Sequence, residues 1–441
     1  MRIVGFVLKW TLLFGLVLAI AAALWPWKVV VEERLSAGPY TSYLERHVQR
    51  IDLEQTDPGF SFPDAFYDSQ LYLVGEIHGA QAAQDFDLAL MKHLHERVGV
   101  RWLMAELSYV QAERFNAYLE TGDESHLAPV FQAWLDRAAQ WGNQQHFDKI
   151  KDLHAYNVSL PEERRIRYFG VDRIHEDDLD DAMLWLGGMM ADLPDEAPGS
   201  LISLRSTALS GDASAFSNVA SEALSELQAA RDPDDSVLGI DPVAASHLVR
   251  NILMTLDGAG RYDVIPGNIE AMVRDFGIGD DEPLYGFWGL FHVMKAVVNE
   301  TGEPLALRLS NGDLPFADAI TSIVMTYADS QQNFPSKALP GFLQSEGPFT
   351  EFTMSQNNPY LMYLDGIGDL RAVAGGSQTA IFELYTEGSP YVGDTRLRTQ
   401  TGLLTKVFRF EITPPEQQPA EYIVLIDGSP ALTAWEGTAS P

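Results

Sequence analysis

Leu73-Val74-Gly75-Glu76-Ile77-His78-Gly79 is the stretch that decides the fold: an apolar run halts at a glycine and delivers a glutamate and a histidine. Far downstream, Gly286-Phe287-Trp288-Gly289-Leu290-Phe291-His292 ends on the same G-x-x-H spacing. Each reads as a buried strand followed by polar residues. Open α/β sheets collect their ligands just beyond the carboxyl ends of strands. The two segments therefore predict the halves of one site, with Gly75 and Gly289 allowing tight turns or close backbone approach.

The pattern around them alternates. Residues 71–74 predict a short strand, and 86–98 a helix carried by Phe86, Leu90, Leu94 and Val98. A strand at 100–105 runs into Glu106, a helix at 110–119 stops at Thr121-Gly122, and a helix at 145–156 leads to a strand at 166–171 that runs into Asp172. Strand, helix, strand repeated in this way implies βαβ units and a parallel sheet. Between about 177 and 261 the chain turns helical, with a turn at Asp232-Pro233-Asp234-Asp235, and reads as an insertion or cap. Strand character returns at 284–290, and 305–309, 380–385 and 422–426 are further strand candidates. The Pro, Gly and Asn density of 333–358 predicts an irregular loop.

The amino end differs from the rest. After Arg2 and Lys9, residues 10–25 are almost wholly apolar, and 3–8 extend the stretch upstream. That reaches the ~20 residues a bilayer span needs. Basic residues before it and Glu32-Glu33 after it predict an inside amino terminus and an exported bulk, while Trp25-Pro26-Trp27 reads as an interfacial flank. Small residues at 19–23 leave a cleaved signal as the alternative. The expected organisation is a membrane anchor or signal at 1–27, a connector at 28–60 with a short helix around 43–53, and one domain over 61–441. The fold class is α/β, with a mostly parallel central sheet flanked by helices and a helical cap, behind an N-terminal transmembrane helix. The location expected is extracytoplasmic and membrane-anchored.

Sixty-two acidic against thirty basic residues leave a formal charge of −32, which opposes binding to nucleic acid. No cysteine is present, so disulfides, thiolate ligation and a cysteine nucleophile are excluded. The chain also lacks a G-x-S-x-G elbow, a phosphate-binding G-x-x-x-x-G-K-[ST] loop and an H-E-x-x-H helix. Serine hydrolase, nucleotide hydrolase and zincin readings therefore fall well behind.

At Leu73 to Gly79, Met104 to Tyr109 (MAELSY), Phe115 to Asp123 (FNAYLETGD), Tyr168 to Asp172 (YFGVD), Arg261 to Asn268 and Gly286 to His292, the chain resembles one superfamily. It contains the erythromycin esterases, the haem-binding ChaN-type proteins and the TraB/Tiki membrane proteases. The resemblance spans about 71–311, with some agreement at 422–431. The segments at 115–123 and 261–268 look most like the esterases. The paired G-x-x-H looks more like Tiki proteins. One residue separates Glu76 from His78 where the esterases usually have two, so an esterase mechanism does not transfer unaltered.

Strand ends thus offer Glu76, His78, Glu106, Asp172 and His292 to one crevice, and the resemblance adds Arg261. A hydrolase would use His78 or Glu76 to take a proton from water, His292 as a second acid-base group and Arg261 against the developing oxyanion. The substrate would be a small molecule or peptide with an ester or peptide bond. In a metal version, favoured by the Tiki resemblance, His78 and His292 with Glu76 or Glu106 hold a divalent ion. The alternative is a binding protein holding haem or another ligand in the crevice. Tyr109, Trp288 and Phe291 are candidate pocket walls, although buried aromatics are commonly core. Glu106 and Asp172 also read as helix caps, and Arg261 as a partner of surface acids. His93 and His95 lie on an expected solvated helix face.

Overall fold

The structure is a computed structural model that describes residues 24–231, 238–299, 302–353, 355–401, 410–413 and 416–437. Residues 1–23, which hold most of the expected anchor, and the turn at 232–235 lie outside the described residues. Among the described residues, no helix is long and apolar enough to cross a membrane.

The centre is an eight-stranded sheet. Its strands in chain order are β1 (Val48–Ile51), β2 (Leu71–Glu76), β3 (Trp102–Ser108), β4 (Arg167–Asp172), β5 (Leu284–Gly289), β6 (Ile320–Ala328), β7 (Thr379–Glu383) and β8 (Tyr422–Asp427). They lie side by side as β1-β7-β8-β6-β2-β5-β3-β4. Six strands, β8 through β4, run parallel, and β7 and β1 add an antiparallel edge, so the sheet is mixed. Every residue of β2 is buried, as expected for a strand covered on both faces. One core cluster lies under the helical cap and contains Leu73, Met104 and Trp288; the other contains Tyr72, Val74 and Phe86 of the helix Gln81–Val98.

The two G-x-x-H segments leave neighbouring parallel strands. Gly75 pairs with Trp288 and Glu76 with Gly289, so both histidines emerge at the same edge of the sheet. Gly75 is required there by close approach. A Cβ at this position would lie 2.3 Å from Val293 Cγ2 and 3.0 Å from the Leu290 backbone, in the turn that carries His292. The expected cap is also present, as the helices Leu179–Met189, Gly199–Ser210, Ala213–Ala229 and Pro242–Leu256. The next helix, Arg261–Arg274, returns to the sheet and packs against β4.

Several expectations change. The helix expected around 43–53 is a helix Gly38–Leu44 followed by β1, because Val48–Ile51 finds an antiparallel partner in β7. The strand expected at 305–309 is the helix Leu305–Ser310, which buries Leu305, Ala306 and Leu309 at helical spacing behind Pro304. The longest strand among the described residues, β6, was not anticipated. Thr321, Ser322 and Thr326 interrupt its apolar pattern yet are buried, with Thr321 bonded to Ser69 and Thr326 to Gln356. Within the expected loop at 333–358, strand Gln332–Pro335 pairs with Phe349–Phe352. His95 is buried rather than solvated, its Nδ1 on the Val100 carbonyl.

Gly75→Ala should overpack the junction between β2 and the His292 turn and destabilise the chain by about 1–3 kcal/mol. Calorimetry would show this as a lowered Tm, and an unchanged Tm would mean that the junction is looser than described.

Candidate active site

Five strand-end or turn residues and one helix-start residue meet at the carboxyl edge of β2, β5, β3 and β4. Glu76 ends β2, and His78 follows in the next turn. Glu76 is buried, and its Oε1 accepts from His78 Nδ1 at 2.9 Å. This bond places the imidazole proton on Nδ1 and leaves Nε2 as a lone pair. The second Glu76 oxygen, Oε2, is buried without a hydrogen-bond partner.

Glu106 sits in a bulge of β3. Ala105 pairs with Gly170 and Ser108 with Asp172, so Glu106 and Leu107 together face the single residue Val171. A bulge re-aims a side chain in this way. One Glu106 oxygen accepts from the Gly289 amide at 2.8 Å, and the other accepts from Arg261 Nη2.

Arg261, the first residue of its helix, ties the remaining parts together. Its Nε donates to Asp172 at 2.8 and 2.9 Å and its Nη2 to Asp172 at 2.5 Å, while Nη1 donates to His292 Nε2 at 3.2 Å. Its role as a partner of carboxylates is therefore real, but the acids are Glu106 and Asp172 at the sheet edge rather than surface ones. A guanidinium has five N–H groups, and these partners leave one Nη1 N–H for a ligand.

The two histidines converge on Gly289. A Cβ there would lie 3.3 Å from His78 Nε2 and 3.4 Å from His292 Cδ2. Their electrostatics diverge. Burial lowers the pKa of His78, but the hydrogen bond and charge of Glu76, with Glu106, outweigh it and hold it above the ordinary 6.5. Burial pushes His292 below 6.5, helped by Arg261 and His78 against Glu106 and Asp172. Burial also opposes ionisation of Glu106, yet Arg261 and both histidines keep that carboxyl below its ordinary range. Such a split is the environment from which acid and base roles arise.

A cleft of about 390 Å³ opens beside this group, lined among others by Glu106, Asp172, Arg261, Arg137, Arg173 and Trp141. Trp141 also faces His78, ring to ring at 4.3 Å. The preceding Gln140 donates to the His78 carbonyl at 3.0 Å and to that of Asn333 at 2.5 Å. Sequence reasoning missed Gln140, Trp141 and Arg137, since the stretch between the helices Ala128–Asp136 and Gln144–Val158 has neither periodicity nor motif.

Two expected pocket walls lie elsewhere. Tyr109 is a core residue packed on Phe169, His247 and Phe276. Trp288 is buried behind His292, its indole N–H on the Met104 carbonyl, so it backs the site without facing the cleft. The expected metal-ligand set does not fit an ion. Among the described residues no three His, Asp or Glu side chains are grouped as ligands. Arg261 is the reason: its guanidinium takes Glu106 and faces His292 Nε2, so a cation already occupies the point where those donors meet.

No protein-family model matches the chain, and no curated protein matches it. Its fold is similar to that of a Bacillus cereus protein of solved structure, at 13% identity and a TM-score of 0.62 over 90% of this chain and 99% of that one. It is also similar to a succinoglycan biosynthesis protein, at 13% identity and a TM-score of 0.57 over 89% and 97%. An erythromycin esterase mutant in its open conformation shares 14% identity, with a TM-score of 0.53 over 87% and 98%. The α/β fold expected from the resemblance to that superfamily is thus shared with an esterase.

Arg261→Met would leave Glu106 and Asp172 facing each other without their counter-charge, a loss of about 3–5 kcal/mol at neutral pH. In the wild type the depressed Glu106 pKa contributes stability that is present above the unfolded value of 4.5 and lost as pH falls through the folded value. In the variant, burial raises that pKa against the two histidines only, so the Tm deficit should shrink from about pH 8 to about pH 5. A deficit independent of pH would show that the network is not what Arg261 supports. Gly289 has ordinary extended dihedrals (φ −59°, ψ 138°), so Gly289→Ala should fold. Its methyl should shift the imidazole NMR signals of His78 and His292 together among the ten histidines.

Proposed function

We propose that the chain is a hydrolase of ester or amide bonds in small molecules, with His78 as the base that activates water. The observation that carries this is the Glu76–His78 pair: a buried carboxylate holds Nδ1 at 2.9 Å and turns Nε2 toward the space beside Gly289. A histidine so oriented is a general base whose tautomer is set by its partner. The cleft of about 390 Å³ supports a small-molecule substrate, since such pockets occupy roughly 300–1,000 Å³.

A water in that space gives a proton to His78 Nε2 and attacks the substrate carbonyl carbon. The carbonyl π pair moves onto oxygen, and the remaining Nη1 N–H of Arg261 donates to the oxyanion. The tetrahedral adduct then collapses, the C–O or C–N bond breaks, and the His78 imidazolium returns its proton to the leaving alkoxide or amine. Neutral His292, whose Nε2 accepts from Arg261, keeps the guanidinium aimed and carries its own proton on Nδ1. Fixed donors of this kind need no reorganisation as charge develops. The apolar run at 3–25 supports the further reading that this hydrolase is exported and remains attached to a membrane.

On a panel of chromogenic short-chain esters, lactones and aryl amides, His78→Ala should lower kcat/KM roughly 100- to 10,000-fold in a chain that still folds. Equal rates for wild type and variant on every substrate would sink the hydrolase reading. The base must be neutral, so activity should rise with pH through an acid limb above 6.5. Glu76→Gln removes the principal influence that raises the pKa and leaves burial, so that limb should move below 6.5 as kcat falls. A limb that stays in place would assign the titration to another group.

A further inference from the structure

Leu24, Trp25, Trp27, Val31 and Leu35 are 61%, 70%, 44%, 53% and 83% exposed. They belong to a continuous helical segment, a 3-10 turn Trp25–Trp27 running into the helix Lys28–Ser36. Positions 24, 27, 31 and 35 follow the three- and four-residue spacing of one helix face, so four of the five exposed apolar groups form a stripe. Single exposed apolar side chains, such as Leu184 and Leu209 on the helical cap, are ordinary on a protein surface. A contiguous stripe of this kind, with Trp27 in it and Trp25 exposed nearby, marks an interaction site.

The helix cannot roll to hide it. Its opposite face buries Pro26, Val30 and the Glu33 carboxylate. Glu33 Oε2 accepts from the Tyr363 hydroxyl at 2.7 Å and the Gly366 amide at 2.9 Å. Arg396 Nη2 donates to the Glu33 carbonyl and to Ser36 Oγ, both at 2.7 Å. Turning the stripe inward would bring that carboxylate out and break these bonds.

Three observations identify what covers the stripe. It begins where the apolar run at 3–23 ends, so the two are continuous in the sequence. Tryptophan beside an apolar span is the composition of a membrane–water boundary. The exposed charges that flank the stripe, Lys28, Glu32 and Arg34, nearly cancel, and Lys28 pairs with Glu32 at 3.4 Å. A formal charge of −32 on the chain argues against an anionic surface, which leaves zwitterionic headgroups. The segment from Leu24 to Ser36 is about 20 Å long, short of the roughly 30 Å hydrocarbon core, and it carries Lys28, Glu32, Glu33 and Arg34. It therefore suits lying along a bilayer rather than crossing it.

We propose that this segment lies in the headgroup–acyl boundary of a zwitterionic bilayer with its apolar stripe immersed, and so holds the rest of the chain at a fixed orientation to the membrane. This rests on the membrane attachment read above, and is independent of the hydrolase chemistry.

The chain has no cysteine, so a single introduced thiol can be labelled uniquely. Full-length Val31→Cys, Leu35→Cys and, as an equally apolar exposed control, Leu209→Cys would carry a nitroxide after reconstitution with phosphatidylcholine vesicles. Each variant would be floated with the vesicles, and its label then probed by collision with oxygen and with a water-soluble nickel chelate. Positions 31 and 35 should favour oxygen several-fold over the chelate, while position 209 favours the chelate. A chain that floats but shows 31 and 35 as chelate-accessible as 209 overturns the immersed helix alone. A chain that does not float overturns the membrane attachment with it. Spin–spin broadening at 31 or 35 without oxygen enrichment would assign the stripe to a second copy of the chain and overturn the proposal.

Discussion

The Arg261 guanidinium is the constraint on which the site depends. Glu106 and Asp172 come from adjacent strands and are largely withdrawn from water, so without a cation between them their ionised forms would repel. Arg261 supplies that cation from the start of the helix that returns from the cap. One planar group, charged at any working pH, therefore couples two strand ends, a helix and His292. The ion pairs compensate charges that the fold has already buried, and their main product is geometry. Burial holds His292 toward its neutral form, and the charge that joins the carboxylates adds to this and makes a metal ion at that point unfavourable.

His78 belongs to a second arrangement fastened to the first through Gly289. The Gly289 amide is held by Glu106, and the absent side chain leaves the gap that both imidazoles approach. On the far side, Gln140 grips the His78 carbonyl and Trp141 covers its ring. His78 is thereby located from three directions, by Glu76 on β2, by the bulge of β3 through β5, and by the loop carrying Gln140 and Trp141. Burial lowers both histidines, and their opposite shifts follow from what opposes it: the hydrogen bond and charge of Glu76 outweigh burial at His78, whereas Glu106 does not outweigh it at His292.

Much of this was legible in the residues. Glu76, His78, Glu106, Asp172 and His292 were placed together because each follows a buried run, and polar side chains at strand ends have little reason to be there other than capping or a crevice. The βαβ rhythm up to Asp172 and the helical cap were legible for the same reason, since periodicity is a local property. Failures came where a distant partner overrides local pattern. Val48–Ile51 has helix-like spacing and becomes a strand by pairing with β7. The five residues 305–309 are too few to separate the two periods. In β6, the buried Thr321 and Thr326 are tolerated because Ser69 and Gln356 supply hydrogen bonds from other parts of the chain. Tyr109 and Trp288 carried no signal to tell a wall from a core.

By itself, then, the order of residues determined that an α/β sheet would present acids and histidines at one edge, because alternation and burial are written into short stretches of chain. It also determined the classes of chemistry set aside with cysteine and the missing motifs. Tertiary structure alone decided how those groups divide their work. The neighbouring registers of β2 and β5, the bulge at Glu106 and the return of Arg261 from the cap set which imidazole faces a carboxylate and which a guanidinium. Those contacts join residues remote in sequence, and charge interactions depend on distance in space, so no local pattern could have carried them.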